Sequence, residues 1–294
     1  MTKPVVAITG GAMGIGIELA RRLARTHRVA LLDIDFPKAQ NAAAQLGPNA
    51  IAVSCNITRA ASVAAAVETV VKRFGGIDVA VSNAGIGSGG AARHLDPDVL
   101  ATQLEVILTG NWRFMSACLP HLISRRGYLL GVSSAAAITG PPGEAFYSAS
   151  KAGLEALLNV VRAEVAHLGL AVGIAYLMFI DTPMVRELDR EHDDLAQMRK
   201  RLPGPAGKTY PVSLAADHLA DGISRRATRI FVPSSLRWQY LLRGMLGPLL
   251  DRSFKKIAPD VDALTEAKVH DRGQFAGGFY SRQVRQFESG GTTK

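Results

Sequence analysis

Tyr147 and Lys151 stand four residues apart in a stretch that reads as the start of a helix, so both side chains leave one face. A phenol with a pKa near ~10 is a weak base at neutral pH, but a nearby ammonium favours its phenolate. The pair is therefore a candidate for passing a proton to or from a reacting oxygen. Ser134, just past an apolar run, adds a hydroxyl that would hold the same oxygen. A Tyr-x-x-x-Lys spacing is by itself common helix surface, so its meaning depends on the rest of the chain.

A second cluster lies near the N-terminus. Residues 5–9 form a short apolar run leading into Thr9-Gly10-Gly11-Ala12-Met13-Gly14-Ile15-Gly16, and helix-forming residues 17–25 follow. Glycines at these positions allow a sharp turn and bring the backbone close to a pyrophosphate, at the free N–H groups of a helix start. Asp33 ends the next strand-like run, 17 residues beyond Gly16, where a carboxylate accepts hydrogen bonds from ribose hydroxyls and repels a 2′-phosphate. Ile34 is not a base and the loop contains no Lys or Arg, so the pattern favours NAD over NADP.

These residues need a scaffold, and the chain predicts one. Strand-like runs at residues 5–9, 29–33, 50–54, 79–82, 128–133, 170–180 and 230–233 alternate with helix-period segments. Val63, Val67, Val70, Val71 and Phe74 make one apolar helical face; Leu154, Leu157, Leu158, Val161, Val165 and Leu168 make another. Repeated β-α-β units imply an α/β, doubly wound, parallel seven-stranded sheet of the Rossmann type, occupying residues 1–235. Residues 236–294 form a C-terminal helical extension. Residues 184–210, charged and then rich in Pro and Gly, read as a mobile flap.

Composition limits the alternatives. With 294 residues, 48% hydrophobic and 20% charged, the chain can bury a full core and is no disordered tail or disulfide scaffold. Cys55 and Cys118 fit no zinc or redox spacing and read as small core residues. Met1-Thr2-Lys3-Pro4 leads into the first strand without a hydrophobic leader, so the expected location is the cytoplasm. The net charge of +9 is concentrated between Arg225 and Lys256, where eight basic residues face only Asp251. No nucleic-acid motif accompanies it. His192, beside Asp193 and Asp194, lacks further ligands in a metal-like pattern, and no metal site is expected.

The motifs Thr9-Gly10-x-x-x-Gly14-x-Gly16, Ser82-Asn83-Ala84-Gly85, Ser134, Tyr147-Ser148-Ala149-Ser150-Lys151 and Asp181-Thr182-Pro183-Met184 together resemble the short-chain dehydrogenase/reductase family over roughly residues 3 to 233. The resemblance implies an oxidoreductase with Tyr147 as acid/base, Ser134 positioning the substrate oxygen, and Lys151 lowering the tyrosine pKa and binding the nicotinamide ribose. It implies a cofactor site of Gly10, Met13, Gly14, Ile15, Gly16, Asp33, Ile34, Asn56, Ile57, Asn83, Ala84, Gly85, Tyr147, Lys151 and Thr182. It also implies a homodimer or homotetramer joined by the helices around residues 101–119 and 152–168.

Three positions depart from the family pattern. Ile107 occupies the place of a helix asparagine that supports a water relay, with Asn111 one turn on; Leu177-Met178 replaces a Pro-Gly pair; Asn56 replaces an aspartate. These departures keep a second class in view, an NAD-binding sensor or interaction protein with weakened catalysis. In the leading reading the walls Phe146, Leu177 and Met178 suit a lipophilic secondary alcohol or ketone. In the extension, Trp238, Leu241, Leu242, Met245, Leu246 and Leu249 fall along one side of a helix at 236–250, with Arg237 and Arg243 elsewhere. Such a face caps the pocket, packs on another subunit or lies peripherally on a membrane.

Overall fold

The computed structural model describes residues 3–87, 89–191 and 207–272. Its centre is one seven-stranded sheet in the order β3-β2-β1-β4-β5-β6-β7, every pairing parallel. The strands are β1 (Val5–Thr9), β2 (Arg28–Asp33), β3 (Ala50–Ser54), β4 (Val79–Ser82), β5 (Tyr128–Val132), β6 (Ala171–Leu177) and β7 (Arg229–Val232). All seven runs expected from the sequence are strands. β6 stops at Leu177, short of residue 180; Ile180 makes only an isolated parallel bridge with Tyr210.

Strand alternation sorts the core into two layers. Val5 and Ala7 of β1 face the layer of α3 (Ala60–Phe74), α5 (Asn111–Ser124) and α7 (Ala145–Val165). Val6 and Ile8 face that of α1 (Gly14–Leu23), α2 (Phe36–Leu46) and α9 (Val212–Ser224). With helices on both sides, the strands need no polar face, which explains their unbroken apolar runs. Val63, Val67, Val70 and Phe74 of α3 are buried as their spacing predicts, each contributing roughly 1.5–3 kcal/mol. Leu168 is 40% exposed, because the chain leaves α7 through a short 3₁₀ turn and reverses at Gly169, φ 79°. Cys55 and Cys118 are free and buried.

The strand order reverses between β1 and β4, which pair through Val6, Ala7 and Ile8. At such a switch point the loops after the two strands diverge and leave a crevice beyond their carboxyl ends. Three elements border it besides the core helices: α6 (Ala136–Thr139), α8 (Pro183–Glu191) and α10 (Leu236–Arg272). Part of the expected flap is thus the helix α8; His192 and the rest of the flap up to residue 206 lie outside the described residues. Within the described residues the extension is one helix of 37 residues despite Gly244, Gly247, Pro248 and Pro259. Tertiary packing of its inner stripe, closed by Leu236 and Val261, outweighs its weak propensity.

Candidate active site

The turn after β1 is shaped by close backbone approach. Gly10 and Gly14 have φ of 63° and 55°, and a Cβ on Gly16 would lie 2.1 Å from the Gly10 carbonyl oxygen. Thr9 and Asn83 brace this turn. The Thr9 hydroxyl accepts from the amides of Asn83 (3.0 Å) and Ala84 (3.1 Å), and the Asn83 carboxamide donates to the carbonyls of Thr9 and Gly10. Asp33 is buried; its oxygens accept from the Ala12 amide at 2.9 Å and the Asp35 amide at 3.0 Å. Burial raises its carboxyl above the ordinary range, against the pull of those amides.

Tyr147 and Lys151 lie on the first turns of α7, and Ser134 follows β5. Ser134 shares the cavity wall with Tyr147, and its Oγ accepts from the Ala136 amide at 3.2 Å. Lys151 is buried, donates from Nζ to the Val132 carbonyl at 2.9 Å, and sits 5.7 Å from the Tyr147 ring centre. Burial pushes Lys151 down to about 8. The Tyr147 phenol is raised, first by burial and then by the Glu144 carboxylate, with the Ser134 hydroxyl acting against both. In the chain alone, desolvation thus disfavours both charged forms, and Lys151 is not among the causes of the Tyr147 shift.

One cavity of about 980 Å³ joins these clusters. Its wall includes Gly10, Met13, Gly14, Ile15, Asp33, Ile34, Ile57, Asn83, Ala84, Gly85, Ser134, Tyr147, Lys151, Leu177, Met178 and Thr182. Three expected residues stand outside it. Gly16 lies beneath the turn as a spacer. Asn56 uses its carboxamide oxygen to accept from the Thr58 amide (3.0 Å) and hydroxyl (2.7 Å). Phe146 is turned onto the hydrophobic layer of α7, a step of about 100° from Tyr147 on the helix.

The cavity fits a dinucleotide. Among the described residues no side chain caps the start of α1, and no acid occupies its first turn, so its amide end suits a pyrophosphate. Asp33 and Lys151 both line that span. Lys38 also lines the cavity, paired to Asp35, and was missed because it sits one helical turn past Ile34. The C-terminal extension, for which capping the pocket was one expected role, walls the cavity through Arg243, Leu246, Leu250, Phe254, Ile257 and Val261 of α10. Their helical spacing was available in the sequence; the expected apolar face differed, and Leu246 belongs to this inner stripe.

The departure at Ile107 has a local resolution. Residues Leu104–Gly110, between α4 (Pro97–Gln103) and α5, are π-helical, and Ile107 is fully buried. Asn111, also buried, accepts from Ser82 Oγ and donates from Nδ2 to the carbonyls of Ala84 (2.9 Å), Ile107 (3.0 Å) and Val106 (3.2 Å). It ties the wide turn to the Ala84-Gly85 wall.

Fold and site define an oxidoreductase built around a dinucleotide crevice. The sequence profile of the short chain dehydrogenases matches residues 4–193, and the protein belongs to that family. An uncharacterized oxidoreductase of Mycobacterium bovis is 33% identical over 228 residues, 75% of this chain and 91% of the relative. The human 3-oxoacyl-[acyl-carrier-protein] reductase is 30% identical, covering 74% of this chain and 91% of its own. A Brucella melitensis 3-ketoacyl-(acyl-carrier-protein) reductase solved with NADH aligns with a TM-score of 0.69 at 25% identity, over 79% of this chain and 97% of that one. A Burkholderia phymatum short chain dehydrogenase/reductase solved with NAD shares the fold at TM-score 0.74 and 20% identity, over 84% of this chain and 95% of that one. The chain is accordingly an oxidoreductase acting on CH–OH or keto groups with a nicotinamide cofactor.

Proposed function

We propose that the protein transfers hydride between NAD(H) and a lipophilic secondary alcohol or ketone, with Tyr147 as general acid/base. The observation that carries this reading is the placing of Ser134, Tyr147 and Lys151 together on the wall of a cavity that also holds Asp33 and an apolar stripe of α10, with the Lys151 ammonium 5.7 Å from the Tyr147 ring centre. The bound nicotinamide supplies the hydride donor or acceptor. The chain's own part is orientation and proton transfer. In reduction, Tyr147 Oη gives its proton to the carbonyl oxygen held by Ser134 Oγ; in oxidation, the phenolate takes the proton of the substrate hydroxyl. A raised phenol pKa keeps the acid form at neutral pH, which suits reduction.

Asp33 and Asp35 at the ribose end support NAD, because the cation there, Lys38, is engaged by Asp35. Leu246, Leu250, Phe254 and Ile257 support an apolar substrate, in keeping with relatives named for acyl-chain substrates. Val160, 56% exposed on α7, is surface that a homodimer or homotetramer through α5 and α7 would cover. Two buried free cysteines accord with a cytoplasmic setting.

The test is nicotinamide turnover by the wild-type chain and Tyr147→Phe, with NAD(H) and NADP(H), on medium- to long-chain alcohols and their ketones. The expected result is NAD-selective turnover falling about 10²–10⁴-fold in the variant. NAD binding without tyrosine-dependent turnover would instead support the sensor reading that buried Ile107 keeps in view.

A further inference from the structure

Half of the eight cations of the basic segment are already engaged within the protein. Arg225 pairs with Asp221, Arg226 donates to the carbonyls of Gly127 and Gly169, Arg229 donates to the Tyr240 hydroxyl, and Arg243 pairs with Glu155 at 2.8 Å. The other four cations, Arg237, Arg252, Lys255 and Lys256, project from α10, and among the described residues they make no ion pair. Arg237 lies over the ring of Trp238.

The same helix carries the exposed apolar surface. Of seven large apolar side chains exposed among the described residues, five share one stripe of α10: Trp238 (60%), Leu241 (60%), Leu242 (43%), Met245 (80%) and Leu249 (62%). The stripe spans about three helical turns, with Arg237 at one end and Arg252, Lys255 and Lys256 at the other. A solvated helix keeps its apolar face inward; α10 has a second one outward. The inner stripe of this helix, from Arg243 to Val261, walls the substrate cavity.

We infer that the outer stripe of α10 docks on an anionic lipid bilayer, lying in the interface with the apolar side chains among the upper acyl chains and the four cations on the headgroups. An aromatic at the headgroup level, flanking cations and a short apolar face are the features such helices use. No helix among the described residues is long and apolar enough to cross a membrane, so the contact is superficial. Docking would set the cavity wall against the phase in which a lipophilic substrate dissolves. The substrate link rests on the reading proposed above, whereas the docking does not.

The experiment is co-sedimentation of the full chain with vesicles of phosphatidylcholine alone and of phosphatidylcholine with about 30% phosphatidylglycerol, alongside analytical ultracentrifugation without lipid. Charge attraction to the anionic headgroups is what separates the two vesicle types. Binding is expected only to the anionic vesicles, lowered by salt, with a blue shift of Trp238 fluorescence read in a Trp112→Phe background. Neutralising Arg252, Lys255 and Lys256 to Gln should weaken it on the order of a hundredfold. The surface variant Met245→Glu/Leu249→Glu should weaken it at least about tenfold while leaving turnover of a short, water-soluble ketone unchanged. Absence of binding to anionic vesicles, binding that Met245→Glu/Leu249→Glu leaves intact, or a lipid-free dimer that this variant dissociates would overturn the inference. Because sedimentation needs no turnover, its failure is distinguishable from failure of the dehydrogenase assay.

Discussion

The two ends of the cavity are built in different materials. At the cofactor end the wall is main chain: a turn of glycines, the amide end of α1, and the Asn83 and Asn111 carboxamides tying loops together through backbone carbonyls. At the substrate end it is side chain, much of it from a single helix added beyond the last strand. Backbone-built walls have almost no room for an added atom and recognise the unvarying phosphate and ribose parts of a ligand. Side-chain walls can be resized one residue at a time. Substitutions at the first end should therefore remove binding outright, and those at the second should alter preference.

The largest effect is expected at Gly16. A methyl there meets the Gly10 carbonyl oxygen at 2.1 Å, and neither partner is a flexible side chain, so the turn itself must move. Gly16→Ala should cost roughly 3 kcal/mol of stability and weaken NADH binding by more than about a hundredfold. Calorimetric titration with NADH, paired with a thermal melt, checks both. Unaltered NADH affinity would mean that the turn is more pliant than its close approach implies.

Lys151 sharpens the comparison where the two ends meet. Its folded-state pKa of about 8 lies below the ordinary 10.5, so charging the buried ammonium destabilises the fold by about 3 kcal/mol at pH 7. The unfolded chain holds the extra proton between those values, so stability rises with pH across that window. Lys151→Met should lose turnover yet be more stable than wild type at pH 7 by up to about 3 kcal/mol, the loss of the Val132 hydrogen bond acting against this gain. Urea denaturation from pH 7 to 10.5 should show the gap closing above pH 8. A gap independent of pH would show that the ammonium is not desolvated as its burial implies.

This division also explains what the sequence disclosed. Glycine turns, the strand-end Asp33 and the Tyr147–Lys151 spacing are short-range devices, so each left a mark within a few residues, and the seven strands followed from apolar runs that both-sided burial requires. Asn56 and Phe146 were misplaced from the wall because one rotation or one Asx turn decides where a side chain points. Which side chains of α10 close the cavity was hidden for a different reason. That helix has two apolar stripes, and sequence periodicity alone does not say which one the rest of the protein covers. The sign of the Tyr147 shift was also out of reach, since it depends on the desolvation of groups brought together from α7 and β5 and on Glu144. Asn111 shows the same limit: its four partners come from β4, the loop after it and the π-helical turn, so a lone asparagine one turn past Ile107 carried no visible sign of its use.

The smallest effect separates a wall that binds substrate from one that merely closes the cavity. Phe254 is half-buried on the inner stripe of α10 and lines the cavity. Replacing it with Ala removes an aromatic surface that a long apolar chain would cover but a short ketone would not reach, a difference of about 1–2 kcal/mol in transition-state binding. Phe254→Ala should therefore lower kcat/KM about tenfold for a long-chain ketone, leave a short-chain ketone within about twofold, and leave KM for NADH unchanged. Steady-state kinetics with a matched pair of ketones reads all three. A uniform loss on both ketones would instead mean that α10 acts through the position of Tyr147 and Ser134, making the substrate end as dependent on shared geometry as the cofactor end. Selective loss would confine chain-length preference to the side chains of one helix, where single substitutions can change it without disturbing the glycine turn.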